Sequence, residues 1–331
     1  MPSNFLTQVL VLLAAIAFRE VAAFPLFYRP TVASRATSVG VVGNIRIPTG
    51  YKTTLFSDGF AGTVGSLPST DRWTIDTGTA YPGGASQWGT GEVETYTKSA
   101  TNLQITSAGT LLITPVKTTV SGKTTWTSGR IESIKTWDFT CAVGKKLRIE
   151  SRLKLGANAA ASQLGIWAAF WSLGSAYRGN YKNWPAVGEV DILESLNGQA
   201  KAWETVHCGT ASGGPCKETT GITTTTGFAR NAWYTAAVVI DRSMSKSAST
   251  WQSETITWLL NEKVVFTVKA STVNNQAAWV ALAQNSKYLL FNVAVGGAFP
   301  SGVAGKTTPT TATLGGTGSA MEVDYVAVFT S

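Results

Sequence analysis

Beyond an apolar segment at the amino terminus, this chain carries little helical periodicity; it alternates. Side chains two residues apart share a face of an extended backbone, so a period of two marks a strand with one face buried. Lys146 to Leu155 places Leu147, Ile149, Leu153 and Leu155 on one face and Arg148, Glu150, Arg152 and Lys154 on the other. Met321 to Phe329 alternates in the same way through Val323, Tyr325 and Ala327. Residues 103–106 and 111–114 flank Ser107-Ala-Gly-Thr110, which predicts a hairpin with a glycine available for positive φ. Residues 256–261 and 264–268 flank Glu262-Lys263 and predict another. Apolar runs at 164–173, 187–194, 233–240 and 288–295 read as buried strands. Many short strands joined by Gly-, Ser- and Thr-rich turns predict an all-β sandwich or jelly roll. Residues 24–54 lack this strand density and read as an N-terminal extension. No internal repeat, linker to a second module or apolar C-terminal tail is evident in the sequence.

Composition narrows the chemistry. Only 14% of the 331 residues are charged, against the ~25% of an ordinary globular protein, while 12 are tryptophan. A single histidine excludes any site built from several, and with it most zinc enzymes. The net charge is +8, but basic residues are spread thinly, with no run longer than Lys145-Lys146, so nucleic acid is not expected as a partner.

Phe5 to Phe18 form an apolar stretch interrupted only by Thr7 and Gln8, too short for a membrane span. Val21-Ala22-Ala23 supplies the small residues a signal peptidase reads, so residues 1–23 are expected to be a signal peptide cleaved after Ala23. The mature chain is then secreted to the medium or the cell wall, without a membrane anchor, and is expected to be a monomer. Of three cysteines, Cys208 and Cys216 lie close together around a Gly-rich loop; a secreted chain would bridge them, leaving Cys141 as a buried thiol. No N-glycosylation sequon occurs.

The segment Trp184-Pro-Ala-Val-Gly-Glu-Val-Asp-Ile-Leu-Glu194 packs Glu189, Asp191 and Glu194 into six positions of a chain poor in acids. On a regular strand Glu189 and Asp191 share a face and Glu194 points away, into the core. Burying a lone carboxylate is costly. One extra residue at Ile192 or Leu193, a β-bulge, would return Glu194 to the shared face, and that arrangement is preferred. Carboxylates in a row repel, so their pKa values are driven apart. One ionised and one protonated carboxyl is the equipment of a glycosidase. On a flat strand the Cα atoms of Glu189 and Glu194 would stand about 13 Å apart at ~3.3 Å per residue, too far unless the strand curves. A structural carboxylate row or a calcium site is the alternative the residues leave open.

This segment resembles the Glu-x-Asp-x-x-Glu signature of family 16 glycoside hydrolases, in its bulged form. The likeness extends over residues 55–330. Leu55-Phe-Ser-Asp-Gly-Phe60 resembles the family's opening strand, and Glu94-Thr-Tyr-Thr97, Asn102 and Ser128-Gly-Arg-Ile131 its segments before the site. Gly165-Ile-Trp-Ala-Ala-Phe-Trp171 is similar to its Gly-x-Trp-Pro-Ala-x-Trp strand, with Ala168 in place of proline. Phe291-Asn-Val-Ala-Val-Gly-Gly297 and Val323-Asp-Tyr-Val-Ala-Val328 resemble its late strands, and His207-Cys-Gly209 with Gly213-Gly-Pro-Cys216 its secreted fungal members. The resemblance implies a jelly roll of two curved antiparallel sheets, concanavalin A-like, occupying residues 55–331. It implies retaining cleavage of a β-linked polysaccharide, with Glu189 as nucleophile, Glu194 as acid/base and Asp191 assisting between them.

The resemblance also implies that Trp167, Trp171 and Trp184 line the cleft, where indole faces pack against sugar C–H faces. Asn102 is a candidate for sugar hydroxyls and His207 for the region beside Glu194; Arg130 reads as a salt-bridge partner. The other nine tryptophans are assigned to the core. No cofactor is required. A structural calcium, as in many members, would involve Asp324, a thin basis. The expected activity is endo-cleavage of β-1,3 or mixed β-1,3/1,4 glucan. A transglycosylase and a β-1,3-galactan hydrolase share the two carboxylates. A non-catalytic glucan lectin would not need the three acids.

Overall fold

The computed structural model describes residues 45–331. The expected signal peptide and most of the expected extension lie outside the described residues. In chain order the strands are β1 (Thr53–Asp58), β2 (Trp73–Ile75), β3 (Glu94–Tyr96), β4 (Leu103–Ile105), β5 (Leu111–Ile113) and β6 (Val116–Val120). They continue with β7 (Lys123–Ser128), β8 (Arg130–Ser133), β9 (Lys146–Leu155), β10 (Ile166–Gly174), β11 (Glu189–Leu196) and β12 (Lys201–His207). The last are β13 (Ile222–Gly227), β14 (Tyr234–Asp241), β15 (Thr255–Leu260), β16 (Lys263–Lys269), β17 (Lys287–Val295) and β18 (Met321–Thr330). Every alternating or apolar run singled out in the described residues became one of these strands.

Two large antiparallel sheets form a jelly roll. One runs β16-β15-β14-β9-β18-β5-β4, with β1 paired to β18; the other runs β13-β12-β11-β10-β17-β8-β2. A small third sheet, β3-β7-β6, contains the parallel pair β3–β7. The core lies between the large sheets. Phe170 stacks on Phe291 with centroids 4.5 Å apart, and Trp73 meets Phe291 edge-on. Ile149, Leu153, Val238 and Val326 fill the space from the opposite sheet, all buried.

Three details differ from the sequence expectation. Thr53 and Thr54 already pair with Thr330 and Phe329, so the folded domain begins before residue 55. The second hairpin turns at Asn261-Glu262 rather than Glu262-Lys263: both turn residues have positive φ, for which Asn is well suited, and Lys263 joins β16 opposite Leu260. The charged face of β9 is not solvated at its start. Arg148 and Glu150 are buried there, paired with each other, with Glu262 bonded to Arg148 and the Tyr325 hydroxyl donating to Glu150.

The feature that shapes the site is in β11. Its register shifts against both neighbours: Phe170 faces Leu193 and Trp171 faces Asp191 on one side, while Thr205 faces Asp191 and Trp203 faces Glu194 on the other. Ile192 is therefore the extra residue of a bulge, and Ile192 and Leu193 both pack into the core. The indole of Trp258 donates from β15 across the core to the Asp191 carbonyl at 2.8 Å, capping the distorted ladder. Replacing Trp258 by Phe leaves this buried carbonyl without that donor. Denaturant titration should show a loss of about 1–3 kcal/mol of unfolding free energy; an unchanged midpoint would mean that the bond does not hold the bulge.

Candidate active site

The bulge brings all three acids to the face of β11 that looks away from the core. Glu189, Asp191 and Glu194 line one open cavity of about 590 Å³. Its floor includes Trp167, Ala169 and Trp171 of β10, Asn292 of β17 and Arg130 of β8, and its walls include Trp88, Tyr81, Tyr177, Tyr181 and Trp184. Gly188, at φ +75°, sets up this geometry: a Cβ there would lie 2.5 Å from the Ala281 backbone, so no larger residue lets the chain enter β11 so close to that segment.

Each acid has a distinct environment. Glu194 accepts a hydrogen bond from Trp167 Nε1 at 2.8 Å. Burial pushes its pKa up to about 7, although that N–H and the charge of His207 pull it down. Glu189 is the most exposed of the three, and its pKa is also raised by burial. The positive charges of His207 and Arg130 and the nearby Trp184 indole oppose the rise. Asp191 lies between two like charges in a buried position. Burial, then Glu189 and Glu194, hold its pKa well above the ordinary carboxylate range. The sequence expectation of carboxyls with separated affinities is thus given a physical cause. Glu194 is suited to donate a proton near neutrality and Glu189 to be ionised.

Trp167, Trp171 and Trp184 all line this cavity, and Trp171 Nε1 donates to Asn292 Oδ1 at 2.9 Å. Trp88, assigned to the core, is a fourth. Its ring and that of Trp171 sandwich the Arg130 guanidinium, whose carbon lies 4.4 and 5.0 Å from the two centroids. Arg130 also pairs with Asp76 at 3.0 Å, so it is the expected salt-bridge partner and part of the cavity floor at once. Tyr81 stacks on Tyr181 at 4.3 Å, and Tyr177 packs edge-on against both.

Two expected positions are corrected. Asn102 is buried and lies outside the cavity lining: its Nδ2 donates to the Thr114 carbonyl and Thr127 Oγ1, and its Oδ1 accepts from Thr97. These bonds leave it a structural tie between strands, not a sugar ligand. His207 stands opposite Glu189 on β12, not chiefly beside Glu194. Its Nε2 is 3.5 Å from Asp191 Oδ2, and Nδ1 is 2.8 Å from Glu218 Oε2. Glu218 was missed in the sequence, although it lies two residues after Cys216, just beyond the ring closed by the Cys208–Cys216 disulfide. Cys141 is a buried free thiol.

Glu189, Asp191 and His207 offer ligand-type atoms within 4.8 Å of one another. Both ring nitrogens of His207 already face carboxylates, however, and no metal is assigned here. Asp324, the residue named for a structural calcium, accepts a hydrogen bond on Oδ2 from Arg152 Nη1 at 2.8 Å.

The family model described as XgeA-like, catalytic GH16 domain, matches residues 90–250. The endo-1,3-β-glucanase of Streptomyces sioyaensis is 42% identical, with a TM-score of 0.78 over 86% of this chain and 98% of that one. The chain belongs to glycoside hydrolase family 16. Glucan endo-1,3-β-glucosidase A1 of Niallia circulans is 27% identical over 290 residues, which is 80% of this chain and 36% of that protein. The clotting factor G alpha subunit of Tachypleus tridentatus is 26% identical over 262 residues, 78% of this chain and 32% of that protein. The chain thus spans about a third of the length of these two relatives.

The Glu194 environment has a stability consequence. A group whose pKa is higher folded than unfolded stabilises the fold while protonated, fully so below its unfolded value of about 4.5, and that contribution is lost as pH rises through about 7. Glu204 and Asp76, raised to about 7 and about 6 by burial, contribute in the same direction. Glu194→Gln should therefore reduce the fall in unfolding free energy between pH 4.5 and 7.5 by about 3 kcal/mol. Parallel slopes for variant and parent would contradict a buried, protonated Glu194.

Proposed function

We propose that the protein is a secreted endo-acting glucanase that hydrolyses β-1,3 or mixed β-1,3/1,4 glucan with retention of configuration. The observation that carries this reading is the convergence of Glu189 and Glu194 on one cavity face in different protonation environments. Aromatic rings around them suit a neutral glycan, whose C–H faces pack on indole and phenol while its hydroxyls find Glu92, Asn292 and Arg130. The endo-1,3-β-glucanase from Streptomyces sioyaensis supports the substrate class.

In the first step the Glu189 carboxylate attacks the anomeric carbon as the glycosidic C–O bond breaks. Glu194 gives its proton to the departing oxygen, leaving a glycosyl ester on Glu189. Glu194, now ionised, takes a proton from water, which attacks the same carbon and releases Glu189. Two inversions leave the β configuration. Asp191, held neutral, separates the two working carboxyls without adding a third negative charge. Secretion is supported by the disulfide and by the small-residue pattern before residue 24. Among the described residues no helix is long and apolar enough to cross a membrane.

Glu189→Gln should fold normally and lower turnover on laminarin by about three orders of magnitude or more, read from reducing ends released. Proton NMR of early hydrolysis should show the β-anomer first; an α-anomer at early times would mean inversion. Faster cleavage of galactan than of laminarin or mixed-linkage glucan would reject the substrate assignment.

A further inference from the structure

The loop between β12 and β13 holds a buried carboxylate that the two carboxyl steps do not use. Glu218 has no exposed side-chain surface, and both its oxygens are engaged: Oε1 accepts from the Cys208 backbone N–H at 2.8 Å, and Oε2 lies 2.8 Å from His207 Nδ1. The loop is closed twice beside it. The Cys208–Cys216 disulfide ties its base, and Gly213 and Glu218 exchange backbone hydrogen bonds. The ring it holds cannot turn freely. Trp184 packs on it with centroids 5.5 Å apart, and Gly221 approaches so closely that a Cβ there would come within 2.9 Å of His207 Cε1. This fixes Nε2 toward Asp191 Oδ2, which is buried and has no hydrogen-bond partner.

We infer that Glu218 is a positioning residue: from the disulfide-bearing loop it holds His207 as an imidazolium whose second N–H faces the acids of β11. The argument is one of charge and geometry. With Nδ1–H donating to Glu218, a neutral ring would turn the lone pair of Nε2 toward Asp191 and accept only from its protonated form, whereas the doubly protonated ring presents an N–H there and sets a positive charge among four acidic groups, which favours the cation. The groups facing the ring are Glu189, Asp191 and Glu194 from β11 and Glu218 from its own loop, all acidic. Arg130 and the buried Lys287 lie beyond, within electrostatic reach of Glu189. Burial alone would discharge His207, but the Glu218 hydrogen bond and the surrounding carboxylates outweigh it and raise its pKa. The cation in turn lowers the pKa of Glu189 and Glu194. Glu218 thus acts on both working carboxyls through one ring, without touching substrate.

This effect on catalysis rests on the hydrolase reading above, whereas the charge state of His207 does not, and the test separates the two. His207 is the single histidine of the chain, so its imidazole resonances in untagged protein report one group. In Glu218→Gln the side chain keeps its shape but loses its charge. The pKa of His207 read by NMR titration should fall by about 1–3 units. The acidic limb of kcat/KM should shift to higher pH, because Glu189 then ionises less readily. Glu218→Asp should recover part of both shifts. A merely structural role would lower thermal stability and leave the His207 titration where it was, which would overturn the inference. A shifted titration with an unmoved activity profile would keep Glu218 as the holder of the proton and overturn its link to the carboxyls. A shifted titration in a protein inactive on every glucan would reject the hydrolase reading and leave the His207 assignment standing.

Discussion

The bulge at Ile192 is the constraint on which the site depends. Without it, the pleat of β11 would send Glu194 into the core among Val190, Ile192 and Phe170, a position no ionisable side chain tolerates unpaired. With it, two successive apolar residues point inward and three acids point outward. The disturbed ladder is repaired from the other sheet, where Trp258 supplies the donor to the Asp191 carbonyl. The two sheets are therefore joined beneath the chemistry by a hydrogen bond as well as by apolar packing. Gly188 and the close approach of the 281 backbone fix where β11 begins.

Placing three carboxyls together at a partly buried face imposes an electrostatic cost that the surroundings divide unequally. The pKa of Asp191, between the other two, is raised well above the usual carboxylate range by burial and by both neighbours. Glu194 shares a wall with Trp167 and keeps its proton to about 7. Glu189 is compensated by positive charge from His207 and Arg130. A chain with so few charges has concentrated several of them here. The aromatic excess serves the same region: Trp88 and Trp171 clamp Arg130, Trp167 bonds Glu194, and Trp184 packs on His207.

The strands, the bulge and the grouping of the acids were legible in the sequence because they follow from local rules of alternation and the cost of a lone buried carboxylate. Positions set by loops were not. The chain between β2 and β3 carries Tyr81 and Trp88 into the cavity, and nothing in the pattern around Trp88 separates a wall residue from a core one. Asn102 sits near family-like motifs, but its amide closes a gap between strands, a role visible only once Thr97, Thr114 and Thr127 surround it. Glu218 was hidden for a related reason. Its meaning comes from a disulfide-bearing loop folding back on His207, and the ten residues between the two give no periodic signal.

The central claim is that the bulged strand delivers Glu189 to the anomeric carbon. The most direct measurement is to trap the glycosyl-enzyme. An activated laminaribioside with fluorine in place of the 2-hydroxyl of the reacting sugar slows both steps by destabilising the charged transition states, while its good leaving group lets the first proceed. Mass spectrometry of the digested protein should then find one disaccharide on the peptide containing residues 184–194, attached at Glu189. Attachment at Glu194 or Asp191, or turnover of the reagent at an undiminished rate with no adduct, would contradict the account.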